Sequence, residues 1–396
     1  MKGVCSANTV DTRRTSLRSV RVGVNARFLT KPYTGIGQHT LALFTALAEE
    51  NPDVELVMVV PEKVAVAFPE NVEIVVVPEQ FLGTSGMRKT YWEQWQVPQF
   101  LLKCDVDLIH FPYPSNPWRK FEKPVVVTVH DTIPWTSSEY RRSLSTRLYQ
   151  DRCKKALRHA DQLLTVSEVS RQEIHEVCHV PLEKIELSYN APAQVFSNPS
   201  KSQEKNAVLA SYGLSPSRPY FFYIGGYDER KNVRTLVETF EKYIAPHYDV
   251  DLVLAGGKVA KNAIYSSFDE VTSGHEKVVP IGFVASEDLP VLYQSARAFV
   301  HLSLKEGCNL PLLEAAVSGT PLVASDIPVH REMVGNIAQF CGPHDQQKLA
   351  EMLIQLLTDD QFYNQQKEKL AQYHCPFSWQ KTAKNVMAVY EKMLHS

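Results

Sequence analysis

Short runs of consecutive apolar residues recur along the whole chain. Such runs are typical of buried parallel strands, because a strand covered on both faces has no polar side. In the first half they lie at 20–28, 54–60, 72–78, 106–111, 124–131, 162–167 and 184–190, and in the second half at 220–226, 250–257, 277–284, 298–304, 321–326 and 338–343. Helical patterns lie between several of them, at 37–50, 141–160, 231–243, 286–296, 310–318 and 345–357. This alternation predicts an α/β fold with doubly wound parallel sheets.

A polar segment without periodicity, SNPSKSQEKN at 197–206, divides the chain into two halves and is predicted to be a linker. Residues 20–200 are then an N-terminal domain and residues 207–375 a C-terminal domain, each with its own sheet. Residues 1–19 are predicted to be a flexible leader. Residues 376–396 predict a terminal helix with Ser378 as its N-cap. Two facing sheets would enclose a cleft at the carboxyl ends of their strands.

Composition excludes several classes of protein. The 396 residues include 42 basic and 44 acidic side chains, so the chain lacks the basic excess of a nucleic-acid binder. No apolar run approaches the roughly 20 residues that span a bilayer. The seven cysteines contain no CxxC pair, which disfavours a zinc site and a disulfide framework. With no secretory signal in the sequence, we expect a cytoplasmic protein.

The segment EGCNLPLLE, from Glu306 to Glu314, carries the clearest functional pattern. It follows a predicted strand and opens a helix, with Pro311 in the first helical turn. Backbone N–H groups at 307–311 would be unpaired at this helix start, where donors and dipole attract phosphate. The two carboxylates would accept sugar hydroxyls at the two ends of one ligand. An isolated pair with this spacing is more often a solvated helix residue and a partner of the helix dipole.

The longer segment 281–335 resembles the C-terminal donor site of family 4 glycosyltransferases, which have the GT-B fold. Further motifs similar to that family are TGIGQHT at 34–40, VHDTIPW at 129–135, TVSEVSR at 165–171, YIGGYDERKN at 223–232 and PFSWQ at 376–380. The resemblance implies two Rossmann-like domains facing a cleft and a C-terminal helix that crosses back to the N-terminal domain. It also implies transfer with retention of anomeric configuration and no metal held by a DxD motif.

The resemblance assigns roles to residues of the C-terminal half. Glu306 would lie beside the donor sugar, and Glu314 would bind the ribose hydroxyls. The remaining donor-binding residues would be Gly307, Asn309 and Leu310 at the diphosphate, Ile281 and Phe283 at the base, and Gly226 after the strand 220–226. The family's usual EGFG is Glu306-Gly307-Cys308-Asn309 in this chain.

Arg230 and Lys231 follow the strand 220–226 at a predicted helix start. Two cations there would neutralise a leaving diphosphate, which is the main electrostatic task when a bond between sugar and phosphate breaks. The dipeptide alone is more typical of an exposed basic pair. The resemblance favours Lys231 over Arg230 as the catalytic cation.

Four residues of the N-terminal half are candidates for the opposite wall of the cleft. Gly35 and Gly37 let the backbone approach a ligand closely, and the missing third glycine of the dinucleotide fingerprint disfavours NAD. The family places this loop beside the donor phosphate and the acceptor. His130 ends the strand 124–131 and is predicted to contact the donor sugar or its transferred proton. A lone histidine is more often structural than functional. Asp131 would orient His130 or meet the acceptor.

Two other patterns have a plain structural interpretation. The strings Asp105-Val-Asp107 and Asp249-Val-Asp251 precede apolar strands and are predicted to be polar strand starts, not metal sites. Residues 141–159 hold seven Lys or Arg and one acid. That segment is either a solvated helix face or a surface for an anionic acceptor or membrane phosphates at the inner face of a membrane.

These observations predict a retaining glycosyltransferase. It would move a hexosyl unit from a UDP- or GDP-linked sugar to a carbohydrate or lipid-linked acceptor, in polysaccharide or glycoconjugate biosynthesis, without a metal cofactor. Two alternatives stay open at this point. One is a GT-B phosphorylase or nucleotide-sugar epimerase, and the other is a catalytically silent protein that binds nucleotide sugars.

Overall fold

The computed structural model describes residues 20–80, 83–141, 143–198, 200, 202–256 and 274–395, so the predicted leader at 1–19 lies outside the described residues. Two parallel sheets dominate it, one of seven strands and one of six. The strands of the first sheet are β1 (Arg21–Asn25), β2 (Glu55–Val60), β3 (Val72–Val76), β4 (Leu108–Phe111), β5 (Val125–Thr128), β6 (Gln162–Thr165) and β7 (Ile185–Leu187). Those of the second are β8 (Tyr220–Ile224), β9 (Asp251–Ala255), β10 (Val278–Gly282), β11 (Ala298–His301), β12 (Leu322–Ser325) and β13 (Ala338–Cys341).

Helices cover both sheets. In the first half these are α1 (Gly35–Glu50), α2 (Ser85–Tyr91), α3 (Val97–Lys103), α4 (Ile133–Thr136), α5 (Leu144–Ala156) and α6 (Glu168–Cys178), with a π-helical turn at Trp92–Gln96 between α2 and α3. In the second half they are α7 (Ser202–Ser211), α8 (Val233–Tyr243), α9 (Leu289–Ser295), α10 (Leu310–Val317), α11 (Pro328–Val334), α12 (Gln346–Thr358), α13 (Asp360–Ala371) and α14 (Trp379–Leu394). Short 3-10 helices include Arg27–Thr30 after β1 and Glu229–Lys231 after β8.

The strand order shows why the carboxyl ends form a site. The first sheet runs β3-β2-β1-β4-β5-β6-β7 and the second β10-β9-β8-β11-β12-β13, with every pairing parallel. In each sheet the order reverses beside the first strand of that half, and such switch points are where ligands bind in open α/β sheets. The predicted fold, two doubly wound parallel-sheet domains, is confirmed.

The terminal helix α14 packs on the first sheet's side of the molecule. Its apolar stripe, Ala383, Val386 and Tyr390, is buried in one core with residues of α1 and β1. The Tyr390 hydroxyl lies 2.6 Å from Nδ1 of His110 on β4. Ser378 caps the helix by accepting a hydrogen bond from the N–H of Lys381 at 3.2 Å.

The linker prediction at 197–206 is wrong in its second half, because α7 begins at Ser202. The segment 202–206 contains mostly good helix formers. Leu209, the residue with which α7 is buried in the core, comes only after this segment. The pattern within 197–206 therefore had no apolar face to reveal a helix.

The two DxD strings lie at the amino ends of strands, away from the edge where the switch points open. Asp107 accepts a hydrogen bond from the backbone N–H of Arg21 at 2.9 Å, and Asp251 pairs with Arg218 at 2.9 Å. None of the described helices is both long enough and apolar enough to cross a bilayer.

Candidate active site in the interdomain cleft

Two loops from the second sheet build one wall of the site. β8 and β11 are hydrogen-bonded neighbours, so the loops that follow them, 225–232 and 302–309, run side by side. The backbone N–H of Leu304 donates to the Arg230 carbonyl at 2.8 Å, and the Arg230 guanidinium donates back to the Lys305 carbonyl at 2.7 Å. Asn232, with a left-handed φ of 55°, ties its own loop to the Leu302 carbonyl at 3.2 Å. These contacts fix Arg230 and Lys231 beside Glu306.

Glu306 is the centre of a charged cluster. Its Oε1 accepts from Lys231 Nζ at 2.6 Å and from the Ser303 hydroxyl at 2.6 Å, and its Oε2 lies 2.8 Å from Arg230 Nη1. The Glu306 side chain is only 9% exposed, and those of Arg230 and Lys231 are 15% and 14% exposed. Such charge-assisted contacts are short and strong because they are shielded from water.

The surroundings decide which of these groups are charged. Burial alone would raise the pKa of Glu306, but the adjacent Lys231 and Arg230 outweigh it and hold the pKa well below its usual range. Burial and the nearby Lys231 keep the pKa of His301, which lies 3.5 Å from Glu306, well below its ordinary value. The site therefore contains an ionised carboxylate, two cations and a neutral imidazole at physiological pH.

The start of α10 is shaped by Asn309. This residue has a left-handed φ of 72°, which asparagine tolerates better than most residues. Its side chain does not cap the helix but lies 2.8 Å from Nε2 of His330. His330 Nδ1 donates to the Ser325 carbonyl at 2.9 Å, and burial lowers the pKa of His330 to about 4, so Nε2 accepts from the Asn309 amide. The backbone N–H groups at the start of α10 are left without a side-chain cap, which favours an anion there.

Glu314 lies farther along α10, in a different environment from Glu306. Its side chain is buried at 8% exposure, and its Oε2 accepts a hydrogen bond from the Tyr293 hydroxyl at 2.9 Å. Burial raises the pKa of Glu314 to about 7, with the Tyr293 hydrogen bond partly opposing the increase. The two glutamates of the motif thus differ in charge state near neutral pH.

His130 and Asp131 form the wall contributed by the first sheet. His130 Nε2 donates to the Pro112 carbonyl at 2.9 Å, and burial lowers the pKa of His130 to about 4. The imidazole is therefore neutral, with Nδ1 carrying the lone pair. Asp131 Oδ1 accepts from the Ile133 N–H at 2.8 Å, and burial raises the pKa of its carboxyl group.

The two walls touch at Gly307. A Cβ on this residue would lie 2.4 Å from the His130 carbonyl oxygen, so only glycine permits the approach. The Ser170 hydroxyl lies within reach of both the His130 and Gly307 carbonyls, at 3.1 and 3.4 Å. Lys305 adds an ion pair with Glu173 on α6 at 2.9 Å. The predicted residues Glu306, Gly307, His130 and Asp131 are thus on facing walls of one cleft.

A second contact between the walls involves Glu332 on α11. Its carboxylate accepts hydrogen bonds from the Glu168 and Val169 N–H groups at 2.6 and 3.1 Å, and from the Tyr189 hydroxyl at 2.9 Å. A side chain from the second half thus satisfies backbone donors at the start of α6 in the first half. These hydrogen bonds join the two halves of the chain beside the cleft.

The other predicted residues lie around this centre. Gly35 begins α1 with open space in front of its Cα, whereas a Cβ on Gly37 would lie 2.2 Å from the Lys31 carbonyl oxygen. The Gly226 carbonyl accepts from the Tyr223 hydroxyl at 2.5 Å. Ile281 and Leu310 pack partly buried against the core of the second half. Phe283 is 57% exposed and meets Tyr33 of the first half edge-on, with ring centroids 5.0 Å apart.

Sequence reasoning missed several residues that hold this geometry, namely Ser303, His301, His330, Tyr293, Lys305, Ser170, Glu173 and Glu332. Most act across large separations in the chain, so no local pattern marks them. His301 is the exception, because a histidine within the apolar run 298–304 is itself a visible signal.

Comparison with known proteins identifies the family. The model described as "Glycosyltransferase Family 4" matches residues 33–191, and the one described as "Glycosyl transferases group 1" matches residues 204–373. The O-antigen chain mannosyltransferase B of Escherichia coli is 29% identical over 267 residues, 67% of this chain and 70% of the relative. The O-antigen chain mannosyltransferase RfbU of Salmonella typhimurium is 27% identical over 337 residues, 82% of this chain and 87% of the relative.

A solved structure supports the same fold. Sucrose-phosphate synthase from Thermosynechococcus elongatus superposes with a TM-score of 0.73 at 19% identity, over 95% of this chain and 99% of that one. The two family models together match both halves of the chain, including the loops that carry Glu306, Lys231 and His130. The chain is a glycosyltransferase and belongs to glycosyltransferase family 4.

Proposed function

We propose that this glycosyltransferase moves a hexosyl unit from a nucleotide diphosphate sugar to a carbohydrate or lipid-linked acceptor, with retention of anomeric configuration. The observation that carries the proposal is the Arg230–Glu306–Lys231 cluster. Its carboxylate lies in the loop that leads to the uncapped start of α10, and this loop faces the wall of His130. The diphosphate would bind at the backbone amides of Gly307, Asn309 and Leu310.

The cations explain how the leaving group is stabilised. As the bond between sugar and phosphate breaks, negative charge grows on the diphosphate, and fixed positive groups in a water-poor site stabilise it most. Glu306 holds Arg230 and Lys231 in position before the donor arrives. Because these side chains supply the positive charge, the proposed reaction has no step that requires a metal ion.

His130 and Glu306 would act on the transferred sugar. The neutral His130 presents an acceptor Nδ1 because Nε2 already donates to Pro112. Glu306, ionised beneath the sugar, would accept hydroxyl donors. The acceptor hydroxyl would attack on the face that the diphosphate leaves, and the leaving phosphate would take its proton. Asp131, across the cleft, would meet the acceptor.

A mannosyl donor is our first choice for the sugar. Two relatives that cover most of this chain are O-antigen chain mannosyltransferases, which supports a hexose donor and a role in surface polysaccharide biosynthesis. The base would lie near Ile281 and Phe283, and the ribose would bind Glu314. Both UDP- and GDP-linked mannose and glucose belong in the first panel of donors.

We also propose that α5 rests on the inner face of a membrane, which would make the enzyme cytoplasmic and peripheral. Leu144 and Leu148, one turn apart, are 73% and 53% exposed. They share the helix with basic residues of the segment 141–159, of which Arg142 lies outside the described residues. Exposed leucines beside cations are typical of interfacial helices.

The test begins with thermal unfolding in the presence of UDP, GDP, ADP and dTDP, each with and without EDTA. A nucleotide at about 100 times its Kd should add about 2.7 kcal/mol and raise Tm by several degrees. The nucleotide that stabilises then selects the sugar panel for a transfer assay. Glu306→Gln is compared with Glu368→Gln, an exposed glutamate on α13.

Each outcome discriminates between the candidate functions. Transfer by the wild type and by Glu368→Gln but not by Glu306→Gln supports the proposal. Binding without transfer to any acceptor favours a silent nucleotide-sugar protein. Consumption of a glycoside with inorganic phosphate, or conversion of the nucleotide sugar without an acceptor, favours the phosphorylase or epimerase. Loss of stabilisation with EDTA would contradict a metal-independent donor site.

A further inference from the structure

A second cavity opens at the carboxyl edge of the first sheet, outside the cluster around Glu306. It has a volume of about 530 Å³ and lies where β1, β2 and β3 end, beside the start of α2. Four cationic side chains and two carboxylates line it: Arg27, Lys31, Arg88, Lys89, Glu62 and Glu79. The lining is therefore predominantly positive, which favours an anionic ligand.

The cations of this pocket are not equally engaged. Glu79 lies 2.5 Å from Arg27 and 3.6 Å from Arg88, so one carboxylate holds two guanidinium groups. Lys89 lies 3.6 Å from Glu93. No carboxylate in the described part of the chain lies within 4.0 Å of the Lys31 ammonium. The pocket thus combines two positioned guanidinium groups with the Lys31 ammonium, whose charge no carboxylate of the described residues neutralises. Guanidinium and ammonium groups together are the donors that recognise phosphate.

The position of the pocket links it to the cleft. Lys31 lies three residues before the glycine-rich loop at 34–40, and its carbonyl accepts from the Thr34 hydroxyl at 2.8 Å and lies against Gly37. This loop is where the donor and the acceptor are expected to meet. An anion in the pocket would therefore lie on the first sheet's side of the reaction, where the acceptor enters.

An apolar stripe leads away from the pocket along α2 and the π-helical turn that follows it. Met87, Tyr91 and Trp95 follow at intervals of four residues and are 52%, 38% and 42% exposed. The Tyr91 and Trp95 rings stack with centroids 5.9 Å apart. Exposed apolar side chains in a row, with aromatic rings among them, are suited to a hydrocarbon chain at a membrane interface.

We infer that this pocket binds the phosphate group of a lipid-linked acceptor, whose hydrocarbon chain lies along Met87, Tyr91 and Trp95. The inference rests on the proposed function, because it names the acceptor class of that reaction. It accounts for two features together: a positive pocket alone would suit a free sugar phosphate, and an apolar stripe alone would suit any lipid. The pocket and the stripe meet at α2, which favours a molecule with both parts.

The test uses farnesyl diphosphate as a short lipid probe and inorganic diphosphate as the head group alone. Isothermal titration calorimetry is run with the stabilising nucleotide at saturation, so that the donor diphosphate site is occupied. Lys31→Gln removes a cation of the pocket, and Lys384→Gln removes an exposed cation on α14 as the matched control. Met87→Gln changes the stripe at nearly constant size.

Lys31→Gln should weaken both probes about tenfold, the effect of one charge-assisted hydrogen bond, and Lys384→Gln should weaken neither. Met87→Gln should weaken farnesyl diphosphate while leaving inorganic diphosphate unchanged. Equal affinities of the wild type for the two probes would overturn the lipid in favour of a free phosphate ligand. Equal affinities of Lys31→Gln and Lys384→Gln for the probes would overturn the assignment of this pocket as a phosphate site.

Failure of this inference is distinct from failure of the proposed function. A wild type that binds a nucleotide and transfers sugar to a soluble acceptor, but shows no difference among these variants, retains its function and loses the pocket. A wild type that neither binds a nucleotide nor transfers sugar loses the proposed function, whatever the probes do.

Discussion

Donor affinity should depend on pH through Glu314. Ribose hydroxyls donate hydrogen bonds most effectively to an ionised carboxylate, which offers two acceptor oxygens, whereas a protonated one gives up part of that capacity. Burial raises the pKa of Glu314 to about 7. The donor should therefore meet a mixture of charged and neutral Glu314 at neutral pH, and acid should weaken its binding.

The magnitude follows from the pKa. If only the ionised form binds, the apparent Kd equals the intrinsic Kd divided by the ionised fraction. The Kd should then be about twofold higher at pH 7 than at alkaline pH, and about elevenfold higher at pH 6. Tyr293→Phe removes the hydrogen bond that stabilises the ionised form at 2.9 Å. Its midpoint should consequently lie at a higher pH than that of the wild type.

The neighbouring imidazoles do not obscure this titration. Burial lowers the pKa of His130 and of His330 to about 4 and keeps that of His301 well below its ordinary value. His130 and His330 therefore remain neutral between about pH 5.5 and 8.5, and the lowered pKa of His301 favours its neutral form as well. The ligand must be the nucleotide sugar and not the free nucleotide, because the terminal phosphate of a free nucleotide itself titrates near about pH 6. Its pKa is about that of a phosphoserine.

The assay is isothermal titration calorimetry of the nucleotide sugar at several pH values across that interval. Glu314→Gln should bind more weakly than the wild type and show a flat profile, while Glu368→Gln should follow the wild type. A wild-type Kd that does not change with pH would refute the reasoning. So would a Glu314→Gln variant that retains the wild-type slope, because another group would then be responsible.

Four further predictions follow from the same geometry. The pKa of Glu314 is higher in the folded chain than in the unfolded chain, so the ligand-free protein should become less stable as pH rises from about 4.5 through 7. The loss of unfolding free energy from this residue should be on the order of 3 kcal/mol, and urea titrations of Glu314→Gln should lack it. Glu306→Gln leaves two cations without their carboxylate, so it should destabilise the fold by about 3 kcal/mol. Single-turnover transfer should fall at least about 100-fold, and transfer within about threefold of wild type would contradict the role of Glu306. Gly307→Ala places a Cβ against the His130 carbonyl and should shift the loop whose amides are proposed to bind the diphosphate, so steady-state kinetics should show kcat/KM lowered about tenfold or more. Ser378→Ala should cost about 1 kcal/mol in chemical denaturation through the lost cap of α14, and no change would mean that the cap is unimportant.

The strands could be predicted from the sequence because each is a separate apolar run. The observed strands are shorter than the runs, and the difference is informative. β11 ends at His301, although the apolar run continues to 304. Residues 302–304 leave the sheet to form the loop that carries Glu306. Leu302 is buried in the core whereas Leu304 is 37% exposed, so the run of apolar residues extends past the strand without continuing its packing. The periodicity of the sequence alone does not show where such a strand ends.

The state of the two glutamates could not be predicted from their spacing. The motif suggested two similar carboxylates at the two ends of one ligand. The environments differ because the partners come from elsewhere in the chain: Lys231 and Arg230 from the loop after β8 for Glu306, and Tyr293 from α9 for Glu314. Charge state depends on burial and neighbours, which only the tertiary structure supplies.

The loop 306–309 shows how two departures from the family's usual EGFG fit the same architecture. Asn309 stands where a glycine is usual and adopts the left-handed conformation that makes glycine suitable there, at φ 72°. Unlike glycine, it also has a side chain, which binds His330 and so ties the start of α10 to α11. Cys308 stands where phenylalanine is usual and is likewise buried, with Sγ 3.5 Å from Met333 Sδ. Burial raises the pKa of this thiol, so Cys308 serves as a small apolar residue of the core rather than a nucleophile. The backbone donors at the start of α10 therefore depend on the path of this loop, and the side chains of residues 308 and 309 support that path through their contacts with Met333 and His330 on α11.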